Sequence, residues 1–541
     1  MFQWVKSRLR LPGNSAGRER DGMLQEAEAL RATGAIREAR ACCESLLRQR
    51  PDDARALCLM AEMAADARQA EDGLHWAQRA IAADPRAGAP HFTAGRLHEI
   101  AGRLTNAEAS YRAAIRLAPD HAKAHNNLGG VLHMQGQLDA ALASYRNALE
   151  LDPRQPEANQ NYASIVRDTG ALELAVEGYL RQTRAVPEDA EAHNNLANAY
   201  RELGRHREAL ASFERALAAD PEYAEAHFSR SFVLLLCGDY EKGWKEYEWR
   251  WRINAFNAPA RRFPQAPWDG RKIAGGTILV HAEQGLGDTL QFVRYAPWVA
   301  ERCSSVILEC QPELKSLMES VTGIGQVVVQ GEALPPFSAH VPMMSLPGVF
   351  GTTLESVPWR GPYVQADPER SAAWRPRAGR GDGALKVGLA WAGRPQQWDD
   401  RKRSITLDML APLAQASGAV FYSVQMGEAA AQSASPPAGM NLVDLTAGIR
   451  DFSDTAALLS HLDLMITIDT SVAHLAGAMG VPTWVLVAHA PDWRYHLGRS
   501  DNPWYPSMRL YRQDRDGDWT GPIARVAEAL AAGKGRANGR P

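Results

Sequence analysis

Residues 119–153 read PDHAKAHNNLGGVLHMQGQLDAALASYRNALELDP, and the same spacing of residue types recurs on both sides of this stretch. Each period contains a small residue followed four positions later by an aromatic one, as at Ala141 and Tyr145. Proline returns every 34 residues, at 51, 85, 119, 153, 187 and 221, and glycine returns with the same step at 102, 136, 170, 204 and 238. A fixed period of this length indicates a repeat protein.

Each residue type in the period has a structural reason. Glycine suits the tight turn between two antiparallel helices, small residues let the helices approach, the aromatic fills the gap between neighbours, and proline ends the second helix. These offsets resemble the tetratricopeptide repeat. We therefore predict an α solenoid of seven helix pairs over residues 20–253, preceded by a flexible N-terminus at 1–19. The first two pairs are degenerate, and Arg68 stands where the turn glycine is expected.

Three asparagines, Asn127, Asn161 and Asn195, occupy one position of three successive repeats. A primary amide donates and accepts hydrogen bonds, so such a row can hold an extended peptide backbone without reading its sequence. A similar row is a feature of the superhelix in the eukaryotic O-GlcNAc transferase family. We expect a protein or peptide partner in this groove. The alternative is that the three amides bond to adjacent helices within the array.

A second kind of pattern follows a linker at residues 254–276, which is rich in proline, glycine and arginine. Short apolar strands alternate with helices over 277–365 and again over 385–532, with a second linker at 366–384 and a flexible tail at 533–541. This alternation predicts parallel sheets covered on both faces. We expect two Rossmann-like α/β halves, with ligands bound in a cleft beyond the carboxyl ends of the strands.

Residues 468–486, IDTSVAHLAGAMGVPTWVL, place polar side chains at such a strand end. Asp469 closes a buried strand, and Thr470 and Ser471 begin a helix whose free N–H groups and dipole favour an anion. His474 lies one turn into that helix. The alternative is that Asp469 or Thr470 caps the helix and His474 is an ordinary interior side chain.

This stretch resembles the corresponding loop of the bacterial heptosyltransferases, glycosyltransferase family 9, although Ser471 stands where many members have glycine. EQGLGDTLQFVRYAP (283–297) and WAGRPQQWDDRKRSI (391–405) resemble two further segments of that family. The order of segments resembles bacterial repeat proteins fused to such a module. The resemblance implies a two-domain, metal-independent glycosyltransferase that inverts the anomeric centre and uses a nucleotide-sugar as substrate. It needs no cofactor.

The resemblance also implies roles for individual residues. Asp469, Thr470, Ser471 and His474 would contact the donor, and Asp288 would be the general base for the acceptor hydroxyl, with the nucleotide-sugar on the C-terminal half and the acceptor on the N-terminal half. Asp288 has an alternative role as the cap of the helix that it starts, where the helix dipole lowers carboxylate basicity.

Other candidate residues surround these. Gly285 and Gly287 would let a substrate approach the backbone. By the same resemblance a basic residue among Arg401, Lys402 and Arg403 would hold the diphosphate; the alternative is a solvated cationic turn. Gln425 or Glu428 would contact the ribose or base. Aromatic and arginine side chains in 491–513 either line the sugar end of the cleft or pack in the interior.

The composition sets limits on the function. Lys and Arg number 60 against 63 Asp and Glu, a formal charge of −3, which gives no reason to expect nucleic acid. The longest apolar runs fall far short of the roughly 18 residues of a membrane-spanning helix, and the start does not resemble a secretory signal, so we expect a cytoplasmic protein. The combined prediction is a glycosyltransferase acting on a protein recruited by the repeats. A non-catalytic scaffold, a nucleotide-sugar-binding protein and a surface-polysaccharide transferase are the alternatives.

Overall fold

The computed structural model describes residues 15–169, 172–253, 263–379, 383–395 and 400–533. Contacts divide the chain into two compact units, Met1–Ala199 and Tyr200–Pro541. Helix α1 begins at Ser15, so residues 15–19 of the predicted flexible N-terminus are helical. Residues 1–14 and 534–541, which hold the rest of the predicted flexible ends, lie outside the described residues.

The first unit consists of helices that pack in consecutive antiparallel pairs, as the 34-residue period predicts. Their bounds are α1 Ser15–Ala32, α2 Ile36–Gln49, α3 Ala54–Asp66, α4 Ala70–Ala83, α5 Gly88–Ile100, α6 Leu104–Leu117, α7 Ala122–Met134, α8 Leu138–Leu151, α9 Pro156–Thr169, α10 Leu172–Ala185 and α11 Ala190–Glu202, within which the first unit ends. The turn residues Gly102 and Gly136 have φ of +70° and +76°, in the left-handed region that favours glycine. Arg68 takes the same conformation, with φ +57°.

The repeated small and aromatic residues form the interior of this unit. Ala141 and Tyr145 are both buried. The ring of Tyr145 lies directly against Gly129 of the preceding helix, where a Cβ atom would come within 2.7 Å of two ring carbons. Glycine at this position is therefore a packing requirement of the helix pair.

The second unit begins with repeat helices that share a core with the α/β region. Their bounds are α12 His206–Ala219, α13 Ala224–Leu236 and α14 Tyr240–Tyr247, followed by a 3₁₀ helix at Glu248–Arg252. Trp244 is 3% exposed, and its ring packs edge to face against Trp493 and Trp504. The Trp504 indole also donates to the Tyr240 hydroxyl at 2.8 Å. The compact unit therefore starts before the boundary that the sequence places at residue 254.

The first sheet has four parallel strands, β1 Thr277–His281, β2 Ser305–Cys310, β3 Gln326–Val329 and β4 Ala339–Pro342, in the order β3-β2-β1-β4. The α-helices that accompany it are α15 Leu286–Phe292, α16 Ala296–Ala300, α17 Lys315–Met318 and α18 Leu346–Val349. Strands β1 and β2 are buried along nearly their whole length, as expected for strands covered on both faces.

The second sheet has six parallel strands in the order β10-β9-β8-β5-β6-β7. The strands are β5 Leu385–Ala390, β6 Ala419–Ser423, β7 Leu442–Asp444, β8 Leu464–Ile468, β9 Thr483–Val487 and β10 Met508–Arg512. Its α-helices are α19 Pro368–Ala378, α20 Asp400–Arg403, α21 Phe452–Leu459, α22 Ser471–Ala478 and α23 Thr520–Ala531. The predicted α/β class of this region is confirmed.

Helix α19 lies inside the segment 366–384 that the sequence predicts as a linker. Asp367 caps the helix by accepting from the Arg370 N–H at 2.8 Å, and Trp374 is 4% exposed because the helix packs against α21. Residues 368–378 of this segment are therefore helical and packed against the second half. Among the helices of the described residues, none has both the length and the apolar character that crossing a bilayer requires.

Candidate functional site

A cavity of about 850 Å³ lies between the two α/β regions, at the loop before α15 and the carboxyl ends of β5 and β8. Strand β5 has β6 on one side and β8 on the other, so the chain leaves neighbouring strands in opposite directions and a crevice opens at their ends. Most of the predicted site residues line this cavity: Gly285, Gly287, Asp288, Arg403, Gln425, Glu428, Asp469, Thr470, Ser471 and His474.

Asp288 is held by a buried arginine from the second half. The Arg494 guanidinium donates to Oδ1 of Asp288 through Nη2 and to Oδ1 of Asp492, at 2.9 Å, through Nη1. Its Nε donates to the Gln291 amide oxygen at 2.5 Å. One guanidinium thus fixes the carboxylates of both halves, and its planar fork suits that task better than an ammonium group would.

The backbone of the glycine loop fixes the other oxygen of Asp288. The Gly285 N–H donates to Oδ2 at 2.8 Å, so the side chain caps α15, as the alternative interpretation predicts. Burial raises the pKa of the Asp288 carboxyl, and the adjacent Arg494 opposes that rise. The Asp288 side chain therefore caps the helix and lines the cavity at the same time.

His474 is a buried, neutral imidazole at the bottom of the cavity. Burial, followed by the charges of three arginines, lowers its pKa well below the usual value. Its Nδ1 lies 3.0 Å from the Tyr505 hydroxyl, and its Nε2 lies 3.9 Å from Asp469. A Cβ on Gly287 would come within 2.8 Å of the ring, so this glycine admits His474 rather than only a substrate.

Asp469 stands at the end of β8, as predicted. The Tyr495 hydroxyl donates to its Oδ1 at 2.8 Å, and Arg403 Nη1 lies 3.9 Å from Oδ2. Burial, reinforced by Asp492, raises the pKa of Asp469 to about 6. Thr470 follows as the N-cap of α22 without a side-chain capping bond, and Ser471 is the first residue of the helix.

The three consecutive basic residues do not act together. Arg403 reaches the cavity, whereas Arg401 is exposed and does not line it. Lys402 forms an ion pair with Glu202 at 2.7 Å. Of the three candidates for holding a diphosphate, Arg403 is the one that lines the cavity, and that role stays a prediction. In the single turn of α20, successive side chains point about 100° apart, so one of three can face the cavity.

Gln425 and Glu428 both line the cavity, but the Gln425 side chain is held by backbone hydrogen bonds and Glu428 is exposed. The Gln425 amide oxygen accepts from the N–H groups of Trp391 and Ala392, each at 2.8 Å, and its NH₂ donates to two backbone carbonyls. Gln425 thus ties the ends of β5 and β6 together. Glu428 begins a 3₁₀ helix, Glu428–Ala434, and is exposed.

The asparagines of the first unit make bonds within the array. Asn127 donates to the Tyr111 hydroxyl at 3.2 Å, and Asn161 donates to the Asn126 amide oxygen at 3.3 Å. Both side chains, like that of Asn195, remain half-buried. The alternative interpretation of internal bonding therefore applies to Asn127 and Asn161, and peptide binding by the row stays a prediction.

The sequence left open whether Arg494 lines the cleft or packs in the interior, and it gave no role to Asp492 or Arg394. Arg394 lies on the loop after β5 and also lines the cavity. For Arg494 a usable signal existed: an arginine between Trp493 and Tyr495, both of which are 1% exposed, needs buried acceptors. The sequence alone does not reveal that those acceptors include Asp288, which lies 206 residues away.

Comparisons with known proteins identify the repeats. Residues 24–88, 92–156, 135–190 and 190–223 match models of the tetratricopeptide repeat. The N-terminal part of the chain is therefore an array of tetratricopeptide repeats. FlbA of Caulobacter vibrioides is 28% identical over 328 residues, which are 56% of this chain and 54% of that protein, so the chain spans about half the length of this curated relative.

Solved structures of repeat proteins are also similar to this chain. One is YrrB, described as a tetratricopeptide repeat protein with an unusual peptide-binding site, at 21% identity and a TM-score of 0.28, covering 35% of this chain and 97% of its own. Another is PilF of Pseudomonas aeruginosa, at 16% identity and a TM-score of 0.33, covering 40% of this chain and 99% of its own.

Proposed function

We propose that residues 277–532 form a metal-independent, inverting glycosyltransferase that moves a sugar from a nucleotide-diphosphate donor to a protein recruited by the repeats. The observation that carries this proposal is the cavity itself. In it, Asp288 of the first half lies opposite Arg403 and the start of α22 of the second half. The second sheet supports it as well. Counted from β5, its strands run in the order 3-2-1-4-5-6 of the dinucleotide-binding Rossmann sheet.

The donor would lie on the second half. Backbone N–H groups at the start of α22 and the Arg403 guanidinium would receive the diphosphate, since a helix N-terminus and a guanidinium both favour phosphate oxygens. His474, kept neutral by burial, would contact the donor by hydrogen bonding rather than by charge. Arg394 at the cavity mouth adds a further positive charge.

The reaction would be a single in-line displacement. The acceptor hydroxyl gives its proton to Asp288 as its oxygen bonds to the anomeric carbon, and the bond from that carbon to the diphosphate breaks on the opposite face. Arg403 and the α22 amides take the charge of the departing diphosphate. Arg494 would hold Asp288 in position, while burial keeps the carboxyl more basic than an exposed aspartate.

Replacing Asp288 with asparagine tests this proposal. The substitution keeps the shape of the side chain and removes the base, so we expect transfer to fall by about 100-fold or more. Donor binding, measured as a nucleotide-sugar-dependent rise in melting temperature, should persist, because a ligand that binds the folded state stabilises it. A panel of nucleotide-sugars first identifies the donor by the same thermal shift.

Two controls make the result decisive. Asp516→Asn changes an exposed aspartate that does not line the cavity and should leave transfer unchanged. Arg403→Ala should weaken the thermal shift, since it removes a phosphate contact. If Asp288→Asn transfers sugar as fast as the wild type, Asp288 is not the base. A wild-type protein that binds a donor but never turns it over would be a nucleotide-sugar-binding protein instead.

A further inference from the structure

A second, larger cavity lies in the first α/β half, outside the site described above. Its volume is about 1150 Å³, and it opens beyond the carboxyl ends of β1 and β4. In the order β3-β2-β1-β4 these two strands are neighbours from which the chain leaves in opposite directions. Ligands of parallel sheets bind at such switch points. The walls are completed by Trp244 of α14 and Trp251 of the following 3₁₀ helix.

The walls are mostly apolar, with one buried acid among them. Trp244, Trp251, Trp268, Pro342 and Val349 line the space. Polar and charged side chains also line the space, among them Glu241, Lys245, Glu248, His281 and His340. Apolar walls with a set of placed polar groups are typical of ligand sites.

Glu283 lies at the end of this cavity nearest to the transferase site, and its side chain is 2% exposed. Its Oε1 accepts from the Arg250 Nη2 at 2.8 Å, while among the described residues its Oε2 has no hydrogen-bond donor. A buried acceptor without a partner destabilises the folded state. A ligand that brings a hydrogen-bond donor to this oxygen therefore supplies the partner that the protein does not provide among the described residues.

The charge around Glu283 restricts the ligand. Arg250 is fully buried, donates to both Glu248 and Glu283, and already balances the acid. A second cation would meet the Arg250 guanidinium, so a neutral N–H or O–H fits better than an ammonium group. Tryptophan and tyrosine side chains combine an apolar ring with such a donor.

The cavity adjoins the transferase site. Gln284 lines both cavities, and its NH₂ donates to the Tyr247 hydroxyl at 2.7 Å, forming the partition between them. Glu283 on one side lies in the loop before α15, and Asp288 on the other side lies in the first turn of that helix. A polypeptide that places one side chain in the second cavity therefore lies next to the cavity that holds Asp288.

We propose that this second cavity binds a tryptophan or tyrosine side chain of the acceptor polypeptide, flanking the residue that receives the sugar. The assignment of this ligand as part of the acceptor rests on the proposed transferase function. Binding of the aromatic side chain itself requires only the cavity.

Fluorine NMR of small probes tests the binding. N-trifluoroacetyl-tryptophanamide and N-trifluoroacetyl-tyrosinamide should show line broadening with the full-length protein, and the matching lysinamide and alaninamide should not. Val349→Trp places a bulky ring among the aromatic walls of the cavity and should reduce the broadening. Met409→Trp adds the same side chain at an exposed position outside the cavity and should leave it unchanged.

A second variant keeps the test valid if Val349→Trp fails to fold. Glu283→Gln preserves the side-chain volume and replaces the free acceptor with an NH₂ donor, so we expect at least a fivefold weaker dissociation constant for both aromatic probes. Equal binding to the wild type and Glu283→Gln would remove the role of Glu283, and equal binding of the lysinamide would overturn the neutral-donor assignment. Undiminished broadening in folded Val349→Trp would overturn the cavity as the site.

The acceptor role has its own readout. Asp288→Asn should bind the probes as the wild type does, because Asp288 lies in the other cavity. Val349→Trp should slow transfer to polypeptide while keeping the donor-dependent thermal shift. If transfer is unaffected in Val349→Trp although probe binding is reduced, the aromatic side chain does not belong to the acceptor. If Asp288→Asn transfers normally, the transferase proposal fails whatever the probes show.

Discussion

At the scale of single residues, two buried arginines of the second unit each join two carboxylates. Arg494 joins Asp288 to Asp492, and Arg250 joins Glu248 to Glu283. A buried charge that loses its partner costs several kcal/mol, so each group depends on the others. The two groups differ in how many carboxylate oxygens are hydrogen-bonded. Both oxygens of Asp288 have donors within the protein, whereas one oxygen of Glu283 has none among the described residues.

Arg68 offers a residue-scale prediction about stability. It occupies the turn position that glycine takes in later repeats, with φ of +57°, and its side chain is exposed. A non-glycine residue pays about 1–2 kcal/mol for left-handed backbone, partly offset by the larger unfolded-state entropy of glycine. We therefore expect Arg68→Gly to raise the free energy of unfolding by about 1 kcal/mol, as measured by urea denaturation.

Arg86→Gly is the matched control, because Arg86 is exposed in a turn of the same unit without a positive φ. That substitution should be neutral or destabilising, since it only frees the unfolded chain. If Arg68→Gly is no more stable than Arg86→Gly, the strain assigned to the Arg68 backbone is absent.

At the scale of elements, substitutions at two adjacent glycines of α7 allow the effect of side-chain packing on stability to be measured apart from the effect of helix propensity. A Cβ on Gly129 would lie 2.7 Å from the Tyr145 ring, whereas a Cβ on Gly130 would meet only the Tyr145 hydroxyl, at 3.7 Å. Gly129→Ala should therefore destabilise the protein by about 1–3 kcal/mol through overpacking. Gly130→Ala should stabilise it by about 0.5–1 kcal/mol, because alanine is the better helix former.

Thermal and urea unfolding of the two variants measure this contrast. The same substitution one residue apart is expected to have opposite signs, so expression or handling differences cannot produce the result. Equal effects from the two variants would mean that the aromatic of the repeat does not pack closely against the preceding helix.

The sequence predicts the elements well where a period dictates burial. In the repeats, a spacing of 34 residues is enough to identify the turn glycines, the small residues and the aromatics. Helix α19 escaped prediction because the segment 366–384 is rich in proline, glycine and arginine, which is typical of a connection, while the helix is stabilised by Trp374 packing against α21. Such a tertiary contact leaves no periodic signal.

The candidate site, like the fold, can be predicted from the sequence only in part. Strand ends followed by polar residues locate Asp469 and Ser471, because parallel strands bring their carboxyl ends to one edge. The choice of Arg403 over Arg401 and Lys402 depends on the direction of side chains in one helical turn. The partnership of Arg494 with Asp288 depends on how two sheets face each other, which residue types do not encode.

At the scale of the whole molecule, the end of the repeat pattern and the start of the compact second unit do not coincide. The 34-residue pattern runs to about residue 253, yet the compact second unit begins at Tyr200. The physical reason is the aromatic cluster in which α14 contributes Tyr240 and Trp244 to the core around Trp493 and Trp504. The last repeats are thus part of the fold of the α/β region.

Truncation tests this boundary. A fragment of residues 254–541 loses α14 and uncovers Trp493 and Trp504, which are 1% and 0% exposed in the intact chain. Because exposed apolar patches promote association, we expect this fragment to aggregate or to melt at a much lower temperature. A fragment of residues 190–541, which begins with α11, keeps the cluster and should run as a discrete species in size-exclusion chromatography with a cooperative melt. If the shorter fragment is equally soluble and equally stable, α14 is only an attached repeat, and the sequence-based boundary at residue 254 is the physical one.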